Sequence, residues 1–149
     1  MTNRPVPRQR RDYAAFEVIQ TRWNDNDQYG HVYNVAYLEL FDSAMNNWML
    51  PRGMLRPDGG EPLAVVVENG CAYFRQIAYP DPVTIGLRLA QMGSSSLVLE
   101  LGLFRADEDE ESAQARFVLV CVDGESRRPV PFPEHQRQVL SSLRVDTAE

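Results

Sequence analysis

Apolar residues recur at helical spacing over one long segment of the chain, from about Asn34 to Leu50. Its apolar positions are Val35, Leu38, Phe41, Met45, Trp48 and Met49. Polar side chains fill the other positions, which is the pattern of an amphipathic helix packed on a core. Asn34 can cap the start of this helix through its side-chain oxygen, and Pro51 and Gly53 predict its end. We therefore predict one helix on the order of 25 Å long, about the width of a small sheet.

Alternating apolar and polar residues predict five β-strands. The first, over residues 16–22, is short and imperfect, whereas the alternation in the other four is much cleaner. They cover residues 63–77, 83–89, 97–103 and 115–121. The last three connections between them are so short that hairpins are favoured over parallel crossovers. A short helix over residues 133–143 follows the last strand.

These elements define an α+β fold, in which an antiparallel sheet can curl round the long helix. The sheet would keep two unpaired edges, so pairing with a second copy is a natural outcome. We assign residues 14–149 to this single domain. Residues 1–13 contain four arginines and no apolar stretch after them, so we expect a loose tail rather than a secretory signal.

The composition narrows the class of protein. A chain of 149 residues with 44% hydrophobic content can bury one sizeable core but not two. Its formal net charge of -6 argues against nucleic-acid binding, which uses clustered Lys and Arg to neutralise phosphates. No apolar run approaches the roughly 20 residues that cross a bilayer, so we expect no membrane insertion. Cys71 and Cys121 lie in apolar runs without a metal-ligand partner at the usual spacing, which indicates free thiols in a reducing cytoplasm.

Two acidic stretches could suggest a metal, and neither pattern fits one. The acidic run from Asp107 to Glu111 lies at the tip of a predicted hairpin, where a solvated turn is expected. The stretch from Asp25 to Gly30 begins like an EF-hand calcium loop, but Tyr29 at position five and Ala36 at position twelve are not ligands. We therefore expect no metal site.

The loop before the predicted long helix carries two carboxylates, Asp25 and Asp27, followed by Gly30 and His31. The free N–H groups and the positive dipole end of a helix stabilise negative charge, so a substrate carbonyl oxygen placed there would be polarised toward attack. A carboxylate in the same loop could attack that carbonyl or activate a water. Both Asp residues could instead cap turns, and for Asp25 this structural role is favoured.

Residues 21–37, which read TRWNDNDQYGHVYNVAY, closely resemble the opening motif of hotdog-fold thioesterases of the 4-hydroxybenzoyl-CoA thioesterase type. Further matches are FRQ at 74–76, PDP at 80–82, SSS at 94–96 and RPVPFP at 128–133, and the resemblance covers about residues 16 to 143. It implies a hotdog fold, with a five-stranded sheet wrapped round one long helix, and two protomers joined edge to edge with an active site at their interface. The expected oligomer is a homodimer or a homotetramer built as a dimer of dimers.

The resemblance also implies residue roles. The second Asp of the family's Asp-x-Asp-x-x-Gly pattern is catalytic, and here that position is Asp27. The backbone N–H of Asn34 would receive the carbonyl oxygen, and His31 is expected to support catalysis or orient the substrate. Family members often carry Asn-Asn after the His-Val pair, whereas this chain has Tyr33 before Asn34, so it departs from the family's pattern at the helix entrance.

Other family members use a Glu from the helix or from a neighbouring strand, which keeps Glu39 and Glu68 in reserve. The expected substrate-binding residues are Gly30, Tyr33, Tyr37, Glu68, Arg75, Ser94, Ser95, Ser96 and Arg128. Among them, Arg75 and Arg128 would hold the phosphates of coenzyme A, with the three serines donating at the same end.

The function that these inferences favour is hydrolysis of acyl-CoA to free acid and CoA, without a metal or bound cofactor. One alternative is a non-catalytic protein that binds acyl-CoA in the same cleft, for regulation. Another is an enoyl-CoA hydratase, because hydratases that share the fold use an Asp five residues before a His. Here Asn26 stands five residues before His31, which disfavours a hydratase.

Overall fold

The computed structural model describes residues 3–54 and 62–146 of the chain. Its strands are β1 Ala15–Gln20, β2 Leu63–Tyr73, β3 Pro82–Met92, β4 Ser96–Arg105 and β5 Ala113–Val122. Its α-helices are α1 Asn34–Met49 and α2 Glu134–Ser141, and short 3-10 turns cover Arg10–Asp12, Trp23–Asp25 and Leu50–Arg52. The strands form one antiparallel five-stranded sheet in the order β1-β3-β4-β5-β2. The predicted α+β class, with one long helix and a short C-terminal helix, is confirmed. None of the described helices is long and apolar enough to cross a membrane.

Helix α1 begins at Asn34, but Tyr33 is its N-cap residue. The Tyr33 N–H donates to the Asp25 carbonyl oxygen at 3.0 Å, which holds Tyr33 in an extended conformation with φ -83° and ψ 158°. The N-cap predicted at Asn34 is therefore wrong by one residue. The Oδ1 atom of Asn34 still accepts from the Val35 N–H at 3.0 Å, inside the first turn. At the far end, Gly53 ends the 3-10 turn after the helix with φ 74°, close to the predicted stop.

The core lies between α1 and the inner face of the sheet. Alternate residues of β3, β4 and β5 face the helix, as their patterns predicted. The helix buries Ala36, Tyr37, Leu40, Phe41, Ala44, Met45, Trp48 and Met49. This stripe is rotated from the predicted one, because Val35 is 55% exposed whereas Ala36 and Ala44 are fully buried. These two alanines belong to the buried stripe, and a pattern of large apolar residues does not detect them.

Residues 4–13, here called the strap, lie on the outer face of the sheet, opposite α1. The Tyr13 ring covers Gly86 and Gly102, which pair in register across β3 and β4. A Cβ at either glycine would overlap the ring, so the two glycines create the groove that holds it. Main-chain hydrogen bonds also join the strap to the turn after β4. Residues 4–13 of the tail that we expected to be loose are therefore docked on the sheet.

Glu111, at the end of the acidic run, is fully buried rather than solvated as expected. Its carboxylate accepts hydrogen bonds from the Tyr13 hydroxyl at 2.7 Å, Gln114 Nε2 at 3.2 Å and the Arg8 N–H at 3.1 Å. Burial raises the pKa of Glu111 to about 7, although these donors oppose the shift. The strap is what covers this residue, while the rest of the acidic run stays at least partly exposed.

Candidate active site

Asp25 anchors the loop before α1 and is 1% exposed. Its Oδ2 accepts from the Arg22 N–H at 2.7 Å, and its Oδ1 accepts from Arg22 Nη2 at 2.7 Å. The same guanidinium pairs with Glu39 of α1 at 2.7 Å, and hydrogen bonds to Asp25 and then to Glu39 raise the pKa of Arg22. Asp25 therefore has the structural role that we favoured. Glu39, the helical reserve carboxylate, is engaged in this ion pair.

Asp27 lies in a tight turn two residues further on. The Asp27 N–H donates to the His31 carbonyl oxygen at 2.9 Å, and the Gly30 N–H donates to the Asp27 carbonyl oxygen at 3.1 Å. Gly30 adopts φ 84°, a backbone conformation that favours glycine. Asp27 Oδ1 accepts from the Tyr29 N–H at 2.8 Å, and within residues 3–54 and 62–146 its Oδ2 has no hydrogen-bond partner. The exposed carboxylate is thus oriented by one oxygen and leaves the other open.

Asn26 and His31 lie on either side of this turn, and their side chains make different contacts. The Asn26 Oδ1 accepts from the Tyr79 N–H at 3.0 Å, which ties the loop to the connection between β2 and β3. The His31 ring is half-buried, and its Nδ1 atom has no partner in the described part of the chain. His31 therefore meets Asp27 through its backbone, and no hydrogen bond joins its ring to another described side chain. Nor do the described residues contain a group of three or more His, Cys, Asp or Glu that could hold a metal.

The first turn of α1 leaves a backbone donor at Asn34. The Val35 N–H is satisfied by the Asn34 side chain, and the Ala36 N–H donates to the Tyr33 carbonyl oxygen at 3.0 Å. The Asn34 N–H has no acceptor among the residues that the structure describes. A free donor at the positive end of a 16-residue helix suits a developing oxyanion.

Asn34 also lines a cavity of about 370 Å³, here called the aromatic cavity. Its other lining residues are Val32, Tyr37, Tyr73, Phe74, Arg75 and Gln76. The rings of Tyr37 and Tyr73 meet edge to face at 4.9 Å, and the Tyr73 hydroxyl donates to the Asn34 carbonyl oxygen at 3.4 Å. Burial raises the pKa of both phenols, that of Tyr73 to about 12, so both keep their protons at neutral pH. They can therefore shape the cavity and donate hydrogen bonds.

Tyr73 is a site residue that the sequence did not predict. The alternation of its strand places it on the same face as Cys71, so its direction could be read from the pattern. Its contact with Asn34 at the start of α1, 39 residues earlier, could not be read from this pattern.

Asp27 opens on a second, smaller cavity of about 270 Å³, lined by Trp23, Asn26, Asp27 and Gly30. Two aromatic side chains of the same loop, Trp23 and Tyr29, are 81% and 87% exposed. In one chain, the two expected catalytic groups at Asp27 and at the helix start therefore line separate cavities.

Two charged residues expected at the site already have partners. Glu68 lies 3.6 Å from Arg116 on the outer face of the sheet, away from the aromatic cavity. Arg75 lines the aromatic cavity, but its guanidinium pairs with Glu110 at 2.8 Å and with Glu108 at 3.6 Å. A phosphate would have to compete with these carboxylates for Arg75.

The serine hairpin 94–96 and Arg128 lie at the far end of the sheet from the aromatic cavity. The middle serine accepts from the Cys121 N–H at 2.7 Å near the end of β5, and Arg128 is in the turn that follows β5. Tyr73, by contrast, pairs with Ala113 at the start of β5. Eight residues of strand span about 26 Å. One chain therefore does not bring these phosphate-binding candidates to the helix start.

A five-stranded antiparallel sheet in this order, wrapped round one long helix, is the hotdog fold. The sequence then defines the family within that fold. The model of the thioesterase-like superfamily matches residues 21–140, and the chain belongs to this superfamily.

Related proteins extend over nearly the whole chain. The PA5185 protein from Pseudomonas aeruginosa strain PAO1 is 42% identical, with a TM-score of 0.91 over 97% of this chain and 100% of that one. A thioesterase from Thermus thermophilus, solved in complex with coenzyme A and Zn, is 28% identical, with a TM-score of 0.72 over 92% of this chain and 98% of that one. YsmA from Bacillus subtilis strain 168 is 24% identical over 140 residues, 94% of each chain. Superfamily and relatives together support a thioesterase.

Proposed function

We propose that this protein hydrolyses acyl-CoA thioesters, with Asp27 as nucleophile or general base and the Asn34 N–H as the donor to the carbonyl oxygen. The observation that carries the proposal is that an exposed, oriented Asp27 carboxylate stands seven residues before an unsatisfied helix N-terminus. Both lie in a chain of the thioesterase-like superfamily. The coenzyme A in the Thermus thermophilus relative supports a CoA ester as substrate.

The chemistry needs no group beyond these residues and a water. Asp27 either attacks the thioester carbonyl carbon or removes a proton from a water that attacks it. The carbonyl oxygen becomes an oxyanion, which the Asn34 N–H and the helix dipole stabilise. Collapse of the intermediate breaks the C–S bond and releases the CoA thiolate, which takes up a proton. Where Asp27 is the nucleophile, the acyl group is left on its carboxylate as an anhydride, and a water then hydrolyses this anhydride to the free acid and the Asp27 carboxylate. Water thus supplies hydroxide to the acyl group and a proton to the thiol.

We further propose that two chains complete the site by pairing their β2 strands. β2 is an edge strand of the sheet, and its Val66, Val67 and Tyr73 are 41%, 58% and 39% exposed. A two-fold axis near the middle of β2 would set Leu63 of the partner subunit beside Tyr73. Since the serine hairpin lies at that end of the sheet, the partner's serines and arginines would approach this chain's helix start.

The aromatic cavity favours a short or aromatic acyl group, as in the 4-hydroxybenzoyl-CoA type that the loop resembles. Tyr37, Tyr73 and Phe74 supply ring edges and faces for a planar group. The neutral hydroxyls of the two tyrosines could also donate to a polar substituent of the acyl ring.

Asp27→Asn tests the catalytic assignment. The Asn Oδ1 can still accept from the Tyr29 N–H, so the turn should persist while the carboxylate chemistry is lost. We expect kcat for thiol release from acyl-CoA to fall about a hundredfold or more. The matched control is Asp42→Asn, an exposed carboxylate of α1 outside both cavities, which should keep wild-type turnover. Retention of most of the turnover by folded Asp27→Asn would show that another group does the chemistry.

One observation favours a second candidate, a protein that binds acyl-CoA without cleaving it. Asp27 holds a turn and lines a cavity separate from that of Asn34, which would suffice for a purely structural carboxylate. Calorimetry distinguishes the two functions. Stoichiometric acyl-CoA binding with no thiol release across short, medium, long and aromatic acyl groups would favour the binding protein.

A further inference from the structure

The strap reaches the wall of the aromatic cavity through Arg4. Arg4 Nη2 donates to the Tyr73 carbonyl oxygen at 2.7 Å, and its guanidinium lies 5.9 Å from the centroid of the Phe74 ring. Both Tyr73 and Phe74 line the cavity. Arg4, on the outer face of the sheet, therefore contacts Tyr73 and Phe74, where β2 ends and the cavity wall begins.

This wall depends on contacts from outside the sheet. β2 ends at Tyr73, and the next residues leave the regular ladder. Their backbone is held by Ser112, whose carbonyl oxygen accepts from the Phe74 N–H at 2.9 Å and from the Arg75 N–H at 3.1 Å. Arg4 holds the same short segment from the other side. A segment without ladder hydrogen bonds takes its position from such individual contacts.

A second route joins the strap to the wall through the acidic turn. Gln9 forms a β-bridge with Glu110, and Arg10 Nε donates to the Glu108 carbonyl oxygen at 2.9 Å. The side chains of Glu110 and Glu108 are the two partners of Arg75, the next wall residue. The strap therefore positions the turn that holds Arg75.

The strap is itself firmly anchored, which lets it act as a support. The Tyr13 ring is seated on the two glycines of the outer face, and its hydroxyl donates to buried Glu111. Arg8 pairs with Glu100 at 3.1 Å, and the Arg10 guanidinium lies 4.9 Å from the centroid of the Phe104 ring. Residues 4–13 precede the part of the chain that the superfamily model matches, so this support is additional to what defines the superfamily.

We propose that the strap sets the shape of the aromatic cavity and that Arg4 is a positioning residue for the acyl group. This inference rests on the proposed thioesterase function. Arg4 contacts neither Asp27 nor the Asn34 N–H, so its removal should loosen the cavity wall without removing the chemistry. Acyl affinity and acyl preference should change, while kcat should not.

Arg4→Ala tests this role against Arg11→Ala, which removes an exposed arginine of the same strap that makes no side-chain hydrogen bond within the described residues. With the best acyl-CoA of a chain-length and aromatic panel, we expect Arg4→Ala to raise KM about fivefold, the factor for one ordinary hydrogen bond. Its kcat should stay within about twofold, and its order of preference among acyl groups should shift. The KM of Arg4→Lys should lie between those of wild type and Arg4→Ala, because Lys can still donate to the Tyr73 carbonyl oxygen.

Hydrogen exchange gives a readout that needs no turnover. Amides of residues 73–76 should exchange faster in Arg4→Ala than in Arg11→Ala, with the rest of the sheet unchanged. Equal KM values for the two variants, or equal exchange at 73–76, would overturn the inference. A wild-type protein that released no thiol from any acyl-CoA would instead overturn the proposed function, and the exchange experiment would still decide on the strap.

Discussion

Asp25 and Asp27 lie two residues apart and have opposite surroundings. Asp25 is buried and accepts from both the backbone and the side chain of Arg22, whereas Asp27 is exposed and accepts from one backbone N–H. The same residue type is therefore an anchor at position 25, whereas at position 27 it is free for the chemistry that we propose. This difference predicts that stability and turnover respond to different substitutions.

Asp25→Ala should lower the free energy of unfolding by about 2 kcal/mol, because it leaves the Arg22 donors without their buried acceptor. Asp27→Asn should change the free energy of unfolding by less than about 0.5 kcal/mol, since the residue is exposed and its turn persists. Urea unfolding measures both values. Equal losses in the two variants would contradict the separation of roles.

Glu111→Gln tests the buried carboxylate under the strap through the pH dependence of stability. Burial raises the pKa of Glu111 from 4.5 to about 7, so the folded state binds its proton more tightly than the unfolded state does. The stabilising contribution is then fully present below about pH 4.5 and is lost as the pH rises through about 7.

Wild type should therefore lose up to about 3 kcal/mol relative to Glu111→Gln between pH 4.5 and 8. Unfolding in denaturant, measured for both proteins across this range, gives the difference. Parallel stability curves for the two proteins would mean that Glu111 titrates normally.

At the scale of elements, the strap depends on space made by two glycines. Gly102→Ala would place a methyl group inside the Tyr13 ring position and should cost about 2 kcal/mol of unfolding free energy. Gly70→Ala, in β2 with nothing within 4 Å of the added carbon, is the matched control and should cost less than about 0.5 kcal/mol.

The double variant Tyr13→Ala with Gly102→Ala makes the test specific. Once the ring is gone, the added methyl group has room, so the second substitution should cost much less than it does alone. Full additivity of the two losses would mean that the ring and the glycine do not meet.

Elements in which buried residues recur at a regular spacing could be predicted from the sequence. α1 and the four long strands were recognised because the core reaches the same face at every turn or every second residue. The strap could not be recognised, because its ten residues have no period. Its main support, Tyr13 on Gly86 and Gly102, joins positions more than seventy residues apart.

Some features of the candidate site could likewise be predicted from the sequence, and others could not. The turn with Asp27 and the start of α1 are local, and the motif identified both. The ion pairs of Arg75 and the separation of the serine hairpin from the helix start depend on how the sheet is ordered. Such relations appear only once the strands are placed side by side.

At the scale of the whole molecule, the two edge strands provide a matched test of assembly. Val67→Lys places a charge on the β2 edge, where the proposed two-fold axis would bring it close to its copy in the partner. We expect this variant to elute as a monomer and to lose at least about tenfold in turnover, since like charges facing each other cost several kcal/mol. Light scattering coupled to gel filtration measures the mass, and a thiol assay measures the turnover.

Val18→Lys is the control, because Val18 is 69% exposed on β1 at the opposite edge. It should keep both the mass and the turnover of wild type. A Val67→Lys protein with wild-type mass and turnover would refute pairing through β2.

The order of elements along the chain has a consequence for biosynthesis. α1 is translated before β2, β3, β4 and β5, and Tyr13 meets Glu111, 98 residues further on, only when most of the chain has been made. Contacts of such long sequence separation form slowly, and nascent chains whose apolar surface is still uncovered associate with one another. We therefore expect the yield of folded protein in expression to fall as the time between translation of Met49 and of Val122 lengthens. Slower initiation of translation, or a chaperone that binds the nascent chain, should then raise this yield more than a stabilising substitution does.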